Sequence, residues 1–228
     1  MRIRFLIMVV FLSSSLYAQR NTDPFKGGVE FGLGYGTVID FNFDNNNFYR
    51  EYLLARLIYL PVQIGFVTAK YLNPNQYLEI GLLYTRKGSS YVERHYHDDG
   101  SYGGAAHPAL SLHCIDFPIK YYSNVGQIMK QHMYVFSGLT PSWLVEPVGF
   151  CGSPSNPCIP EDCFRNFYVS VCGGLCFDKK KSRMKLHAGL AITSIVNSTY
   201  REIPKEDRDY GGRIYPFELL FCYARMFR

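Results

Sequence analysis

Residues 28–39 read GVEFGLGYGTVI, a stretch in which large apolar side chains stand at every second position from Val29 to Tyr35. The positions between them hold Glu30 and glycines. Because successive side chains of a strand point to opposite faces, this pattern predicts a β-strand with one apolar face and one small or polar face. The glycines lie inside the strand and not in a strand–turn–helix, so they do not predict a phosphate-binding loop.

Seven further segments show the same alternation. We predict strands over residues 52–71, 76–87, 111–122, 133–146, 166–178, 185–197 and 215–227. Most of them reach the roughly 9–11 residues that a tilted membrane-spanning strand needs. Aromatic residues, which suit strands and membrane interfaces, make up 16% of the chain.

The connections between these strands alternate in length. Short connections lie at residues 73–75, 123–130 and 179–183, and long ones lie at residues 40–50, 88–109, 147–164 and 201–212. Outer-membrane barrels have short periplasmic turns and long extracellular loops, and an even strand count puts both termini on the short-turn side. The fold class that we predict is all-β, an eight-stranded antiparallel up-and-down transmembrane β-barrel.

The chain begins with a pattern typical of export. Two arginines precede a short apolar run, Phe5 to Leu12, and small and polar residues follow it. This order is that of a secretory signal peptide, and the apolar run is too short to span a bilayer. We therefore divide the chain into a signal peptide, residues 1–18, and an outer-membrane β-barrel domain, residues 19–228. We expect the exported protein to lie in the cell outer membrane.

The composition is that of a folded chain. Of the 228 residues, 47% are hydrophobic and 19% are charged, which is too apolar for disorder. The net charge of +5 is modest and its lysines and arginines are mostly dispersed, so we expect no nucleic-acid partner. After the N-terminal region there is no run of about 18 apolar residues, and we expect no transmembrane helix.

The second face of the predicted strands carries ionisable residues. We place them in a polar network that fills the lumen and acts structurally: Glu30, Glu79, Asp116, Lys120, His187 and Glu218. Paired carboxylates can also perform acid–base chemistry. However, side chains are just able to fill the interior of an eight-stranded barrel, and buried charges there must find partners. We therefore predict ion pairs and expect no catalytic residue, cofactor, metal site or open pore.

The same alternation also fits a soluble barrel turned inside out. A lipocalin-like barrel of eight strands would bury the apolar face, show the charged face to water and bind a small apolar ligand. Two observations favour the membrane. The polar face is rich in glycine and alanine, as a crowded lumen requires, and the apolar rows are longer than a small ligand cup needs. The soluble barrel is the first alternative interpretation.

The second long loop contains a cluster of potentially reactive side chains, namely His95, His97, Asp98 and Asp99. Imidazole and carboxylate groups can bind metal or take part in catalysis. A second alternative is therefore an outer-membrane enzyme that uses His97 and Asp98. Their spacing fixes no geometry and glycines flank them, so we interpret the cluster as a solvated polar loop.

Seven cysteines occur in two groups. Inner-face strand positions hold Cys114, Cys172, Cys176 and Cys222, and the third long loop holds Cys151, Cys158 and Cys163. Export permits disulfides, and an odd number leaves at least one thiol unpaired or paired between chains. We predict one disulfide within the third loop, which would shorten and stiffen it. There is no paired Cys-x-x-Cys motif, so we do not expect zinc.

Two neighbouring strands resemble a known family. Residues 115–122 read IDFPIKYY and residues 134–141 read YVFSGLTP. The first resembles a strand of the Bacteroidota outer-membrane β-barrel family called PorT-like, in which an acidic residue, an apolar residue and a proline precede a lysine and aromatics. The second resembles that family's following strand, with its glycine. The resemblance in pattern covers residues 26–228, although the seven cysteines and the C-terminal Arg228 depart from it.

The resemblance implies an eight-stranded outer-membrane barrel without a catalytic motif. The name-giving member of the family is associated with type IX protein secretion. We expect a barrel with a structural or interaction role that is surrounded by outer-membrane lipid and offers its extracellular loops to partners. Outer-membrane or secretion-system proteins are the expected partners, and a link to secretion or surface assembly is implied by the resemblance alone.

Overall fold

The computed structural model describes residues 25–40, 60–90, 93–96, 102–106, 109–150, 161–179, 181–197 and 213–227. In this part of the chain eleven strands follow one another: β1 (Phe25–Asp40), β2 (Val62–Asn73), β3 (Gln76–Ser90), β4 (Glu93–Tyr96), β5 (Tyr102–Ala106), β6 (Ala109–Asp116), β7 (Ile119–Ile128), β8 (Gln131–Phe150), β9 (Phe167–Lys179), β10 (Ser182–Ala191) and β11 (Ile214–Met226). A 3-10 turn, Glu161–Cys163, precedes β9. The predicted signal peptide, residues 1–18, lies outside the described residues.

The strands close into one barrel. Around the wall the order is β1, β2, β3, β6 with β7, β8, β9, β10 and β11, and β11 pairs with β1 again, always antiparallel. β6 and β7 are consecutive parts of one wall strand, because both pair with β3 on one side and β8 on the other. The predicted eight-stranded antiparallel up-and-down barrel is confirmed. β4 and β5 form a separate hairpin in the second long loop.

The junction between β6 and β7 is a break at Phe117 and Pro118. Proline has no backbone N–H, so regular pairing does not continue through it. The backbone groups at the break find partners in the neighbouring strands. Phe117 N donates to Pro141 O at 2.8 Å, and Gly81 N donates to Pro118 O at 3.0 Å. The wall therefore stays closed across the break.

The connection between β7 and β8 is shorter than predicted. The polar residues 123–130 suggested a turn, but β7 continues through most of them and only Met129 and Lys130 separate the two strands. Both residues have left-handed backbone, with φ of 50° and 63°, as a two-residue hairpin turn requires. The short connection was predicted at the right place, but its bounds, residues 123–130, were too wide. The polar side chains that suggested a turn are satisfied within the ladder, where Asn124 Nδ2 lies 3.2 Å from His132 Nδ1.

The long-loop ends of β8 and β10 also differ from prediction. β8 extends through residues 147–150, which therefore belong to the wall and not to the third loop. β10 ends at Ala191, earlier than predicted. The chain then turns across the barrel mouth, where Val196 forms an isolated bridge with Phe164. The apolar pattern continues there because these side chains are buried against the mouth, not because strand pairing continues.

The two faces of the wall have opposite polarity. Outward positions form an apolar belt that includes an exposed large hydrophobic residue on each wall strand: Phe31, Ile64, Ile80, Ile119, Leu139, Val171, Leu186 and Leu219. Exposure in the belt is high, for example 57% at Phe221. Inward positions hold buried charged and small residues together with buried apolar residues toward the two ends. None of the helical segments in the described ranges is long and apolar enough to cross a membrane.

Apolar clusters fill both ends of the interior. At the long-loop end a mouth cluster includes Val38, Leu110, Leu112, Leu144, Phe164, Tyr168, Ile195, Val196 and Ile214. Toward the short-turn end a base cluster includes Val67, Ala69, Tyr77, Tyr122, Tyr134, Phe136, Ala224 and Met226. The charged part of the interior lies between and against these two clusters.

Candidate functional site: the charged interior

Ionisable side chains are concentrated inside the barrel. Four carboxylates and four cationic groups are buried there, none more than 5% exposed: Glu30, Glu79, Lys87, Asp116, Lys120, Arg183, Lys185 and Glu218. His187 is buried with them. The formal charges of the eight groups cancel. Burial of charge is tolerated when partners of opposite sign are present, so the balance explains how the interior can hold so many ions.

A basal ion cluster, formed by Glu30, Glu79, Arg183 and Lys185, lies toward the short-turn end. Arg183 Nη1 is 3.2 Å from Glu79 Oε2, and Lys185 Nζ is 2.5 Å from Glu79 Oε1. Lys185 also donates to Glu30 Oε2. The other Glu30 oxygen accepts a hydrogen bond from Gln63 Nε2 at 2.7 Å. The cluster therefore links three strands of the wall, β1, β3 and β10.

Aromatic rings pack directly against the basal ion cluster. Tyr77 and Tyr122 stack with ring centroids 4.2 Å apart, and the Arg183 guanidinium lies 4.5 Å from the centroid of Tyr77. Tyr122 OH donates to Glu79 Oε1 at 2.9 Å. These rings keep water away from the ion pairs, and electrostatic attraction is stronger where water is excluded.

Tyr71 and Asp178 extend this network to the short-turn rim. Arg183 Nη2 donates to Tyr71 OH at 2.7 Å, and Tyr71 OH donates to Asp178 Oδ2 at 3.3 Å. Arg183 Nε donates to the same Asp178 oxygen at 3.1 Å. β2 and β9, which carry the tyrosine and the aspartate, are opposite each other in the wall. Polar contacts therefore cross the full width of the barrel at this end.

An upper ion cluster, formed by Lys87, Asp116, Lys120, His187 and Glu218, lies nearer the mouth. Lys87 Nζ is 2.8 Å from Asp116 Oδ2 and 3.6 Å from Glu218 Oε1. Lys120 Nζ donates to His187 Nδ1 at 3.3 Å. This bond makes Nδ1 the acceptor and assigns the proton of the neutral imidazole to Nε2.

The upper ion cluster is less completely bonded than the basal one. Within the described residues, Asp116 Oδ1, His187 Nε2 and Glu218 Oε2 have no hydrogen-bond partner. His187 Nε2 is 3.7 Å from Glu218 Oε1, which is too long for a hydrogen bond. Gly189 lies beside this pair, and a Cβ there would be 3.0 Å from Glu218 Oε1 and 3.2 Å from His187 Nε2. Glycine therefore leaves the two side chains their space.

The structure places all six interior residues named from the sequence in these two clusters. The basal ion cluster holds Glu30 and Glu79, and the upper one holds Asp116, Lys120, His187 and Glu218. The sequence reasoning missed three cations, Lys87, Arg183 and Lys185. Each of them stands at an inward-facing position close to one end of its strand, where the alternation of inward and outward side chains continues. Following that alternation to the strand ends would have found them.

Five cysteines in the described part of the chain are free, buried thiols: Cys114, Cys163, Cys172, Cys176 and Cys222. Cys163 lies in the 3-10 turn at the mouth. The other two cysteines of the predicted loop disulfide, Cys151 and Cys158, lie outside the described residues. Burial, together with the neighbouring Asp162 carboxylate, raises the pKa of the Cys163 thiol.

The loop residues that suggested an enzyme are only partly within the described ranges. His95 is in β4, and residues 97–99 lie outside the described part of the chain. Among the residues that the structure describes, no three His, Cys, Asp or Glu side chains are grouped so that they could hold a metal ion.

Two loop segments, residues 161–166 and residues 192–197, cover the mouth and together form the mouth cap. They are bonded to each other, since Arg165 N donates to Ile195 O at 2.8 Å. Phe164 is only 7% exposed and is part of the mouth cluster. The mouth cap therefore joins the bases of the third and fourth long loops and closes the interior above the upper ion cluster.

The charged side chains of this interior contact one another. Every buried carboxylate in the two ion clusters lies within 4.0 Å of a cationic group. The mouth cluster above and the aromatic rings below separate these groups from solvent. Among the described residues, buried side chains occupy the middle of the barrel, as expected of an interior that eight strands enclose. What the arrangement can do is hold opposite walls together.

No protein-family model and no curated protein matches this chain. Two similar solved structures are of Ail, the attachment invasion locus protein of Yersinia pestis. One, in complex with the heparin analogue sucrose octasulfate, is 7% identical with a TM-score of 0.40, and the match covers 89% of this chain and 99% of that chain. The other is 7% identical with a TM-score of 0.37, covering 89% and 98%. At this identity and these TM-scores, neither structure indicates what this chain binds.

Proposed function

We propose that this protein is an integral outer-membrane β-barrel with a structural and interaction role, which is anchored in lipid and offers its long loops to partners. The observation that carries the proposal is the polarity of the wall, with buried charges inside and exposed apolar residues on all eight wall strands. So large an apolar surface is unfavourable in water but is what bilayer hydrocarbon requires. Closure of the barrel also satisfies the backbone polar groups, as hydrocarbon demands.

The height of the apolar belt supports the same proposal. On β8 the outward positions from Val135 to Val145 are apolar except Ser137. They span ~34 Å of strand, or ~24 Å along the barrel axis at a tilt of about 45°. This height is close to the roughly 25 Å apolar band of outer-membrane barrels.

A soluble barrel that binds an apolar ligand would need the reverse arrangement. Its ligand would lie against an apolar lining, and its charged groups would face water. Here the middle of the interior holds two ion clusters, and every wall strand also exposes large hydrophobic residues on its outer face. We therefore prefer the membrane barrel to this alternative.

In the proposed orientation the short turns, the beginning of β1 and the end of β11 face the periplasm, and the long loops face the outside. The mouth cap gives the third and fourth long loops a common base, because backbone hydrogen bonds join residues 161–166 to residues 192–197. Loops held at their bases lose less freedom when a partner binds their tips. Proteins of the outer membrane or of a secretion system are the partners that we propose.

Kinship with the PorT-like barrels, and with it a role in secretion or surface assembly, is part of the same proposal. Its support is the pattern of the β6–β7 wall strand, in which each resembling residue has a distinct place. Asp116 pairs with Lys87, Pro118 interrupts the strand, and Lys120 contacts His187. If deletion of the protein in its own host leaves the export and display of surface proteins unchanged, this part of the proposal is wrong.

Two epitope-tagged variants test the location and orientation. One carries the tag after Asp207 in the fourth long loop, and the matched variant carries it after Asn75 in the β2–β3 turn. We expect antibody to bind intact cells only when the tag is in the loop, and to bind both variants once the outer membrane is permeabilised. Binding to the turn tag on intact cells would overturn the orientation, and recovery of both variants as soluble protein would overturn the membrane location.

A further inference from the structure

We propose that one half of the short-turn rim binds the headgroups of anionic phospholipids. Because it requires the barrel to lie in a bilayer, this inference rests on the proposed function. The half in question, the basic arc, is formed by the neighbouring ends of β9, β10, β11, β1 and β2. Among the described residues it carries four exposed cations: Lys70, Lys179, Lys181 and Arg225.

Strand pairing makes the basic arc continuous. Lys179 and Arg225 both lie opposite Ser182, one on each side of β10. On the far side of β11, β1 carries Phe25 opposite Lys70 of β2. Five adjacent strand ends therefore bring the cations to one side of the rim, at the boundary of the apolar belt.

Exposed aromatic side chains accompany these cations. Phe25, Tyr223 and Phe227 point outward on β1 and at the end of β11, and Lys70 Nζ lies 5.4 Å from the ring centroid of Phe25. Aromatic rings prefer the headgroup level of a bilayer, and long basic side chains reach past them to phosphate. The acyl chains of a lipid held there would continue onto the apolar belt, which is why we assign the arc to a lipid and not to a free anion.

The charge of the basic arc is not neutralised by carboxylates of the residues that the structure describes. In the described ranges, no carboxylate lies within 4.0 Å of the four cations, whereas the nearby Asp178 is bonded to Arg183 in the interior. Phosphate groups of anionic lipids supply the missing negative charge. Each basic side chain close to an anionic membrane surface strengthens binding, by about fivefold in affinity.

The other half of the rim has a different composition. The β2–β3 turn and the adjoining ends of β3, β7 and β8 present mainly amides: Asn73, Asn75, Gln76, Asn124 and Gln127. Lys130 is the single lysine or arginine that the described residues place there. Lipid selection is therefore expected on one side of the barrel, and Lys130 offers a matched control for a change of charge at the same rim.

The test compares lipids retained by the full mature chain, folded in bilayer discs of equimolar phosphatidylglycerol and phosphatidylethanolamine with identical acyl chains and then released for native mass spectrometry. We expect phosphatidylglycerol to be enriched on the wild-type barrel. A quadruple variant should show a ratio of retained phosphatidylglycerol to phosphatidylethanolamine that is lower by at least about tenfold. Its substitutions are Lys70→Gln, Lys179→Gln, Lys181→Gln and Arg225→Gln. Lys130→Gln should keep most of the wild-type ratio.

Equal retention of the two lipids by the wild-type barrel, or an equal loss in Lys130→Gln, would overturn the inference. Displacement of phosphatidylglycerol by inorganic phosphate at constant ionic strength would assign the arc to a free anion and also overturn it. Each variant is first shown to be a folded barrel by its heat-dependent gel mobility. A chain that does not enter bilayers contradicts the proposed function, whereas an inserted barrel without lipid preference contradicts only the basic arc.

Discussion

Arg183 on β10 and Glu79 on β3 form an ion pair between opposite walls of the barrel, with Nη1 and Oε2 3.2 Å apart and both side chains buried. Apolar clusters fill the two ends of the interior. Between them, the contacts that hold opposite walls together are largely polar. A buried ion pair of this kind is favourable only while both partners are present.

Replacement of Glu79 by Gln tests this dependence, because it keeps the shape of the side chain and removes the charge that offsets Arg183 and Lys185. We expect the free energy of unfolding to fall by about 3–5 kcal/mol, as for other broken buried pairs. Urea titration in lipid vesicles measures it. Lys130→Gln, at an exposed turn, should change it by no more than about 0.5 kcal/mol. Equal stability of the two variants would show that the basal ion cluster does not hold the walls.

A charge on the outer face distinguishes a lipid-facing wall from a water-facing one. Leu139 is 48% exposed and lies in the middle of the apolar belt, between Ile119 and Val171. Leu139→Arg should lower the free energy of unfolding in lipid vesicles by about 2–4 kcal/mol, whereas Val125→Arg near the short-turn end should cost about 0–1 kcal/mol. The wall does not face hydrocarbon at Leu139 if both substitutions are tolerated equally.

Cys163 gives a prediction about pH. Because burial and Asp162 raise the pKa of its thiol, and because the thiolate is the reactive form, the folded protein should react with iodoacetamide more slowly than the unfolded chain at the same mildly alkaline pH. Stability from this group is present below the unfolded pKa and declines as pH rises through the higher folded pKa.

Peptide-resolved mass spectrometry reports the alkylation rate of Cys163 separately from the other thiols. Asp162→Asn removes the second cause of the raised pKa, so it should increase the rate in the folded state and leave the unfolded rate nearly unchanged. Equal rates for folded and unfolded wild-type protein would mean that the thiol is not protected by the mouth cap.

The mouth cap should fail locally when its central ring is removed. Phe164→Ala takes a buried side chain out of the mouth cluster, and we expect a loss of about 3 kcal/mol from the free energy of unfolding of this region. Hydrogen exchange should accelerate at the amide of Ile195, which donates to Ile214 O at 2.9 Å, and stay slow at the amide of Tyr134 in the base cluster. Unchanged exchange at Ile195 would contradict a cap held by Phe164.

The sequence was most informative where structure depends on neighbouring positions. The alternation from Val29 to Tyr35 predicts a strand and its two faces, because the direction of a side chain in a strand is set by its position alone. The same logic places Glu79 and His187 on inward faces. It does not identify Lys87 and Arg183 as interior residues, because they stand near strand ends, where a basic residue is equally compatible with a loop.

Features that depend on distant contacts were not predictable in this way. The turn at Met129 and Lys130 lacks the glycine or asparagine that usually marks left-handed backbone, so the sequence does not indicate a two-residue turn there. Val196 looked like part of a strand because its apolar pattern continues, yet its burial comes from a bridge to Phe164 in another loop. Likewise, the pairing of Arg183 with Glu79 follows only once the barrel is closed.

Gel mobility with and without boiling tests most directly whether this barrel spans an outer membrane. The measurement uses the purified outer-membrane fraction of cells that produce the full chain. We predict that the protein is found in this fraction, that it resists detergent before heating, and that its mobility changes on boiling to that of the unfolded chain. Recovery in the soluble fraction, with the same mobility before and after boiling, would contradict the account.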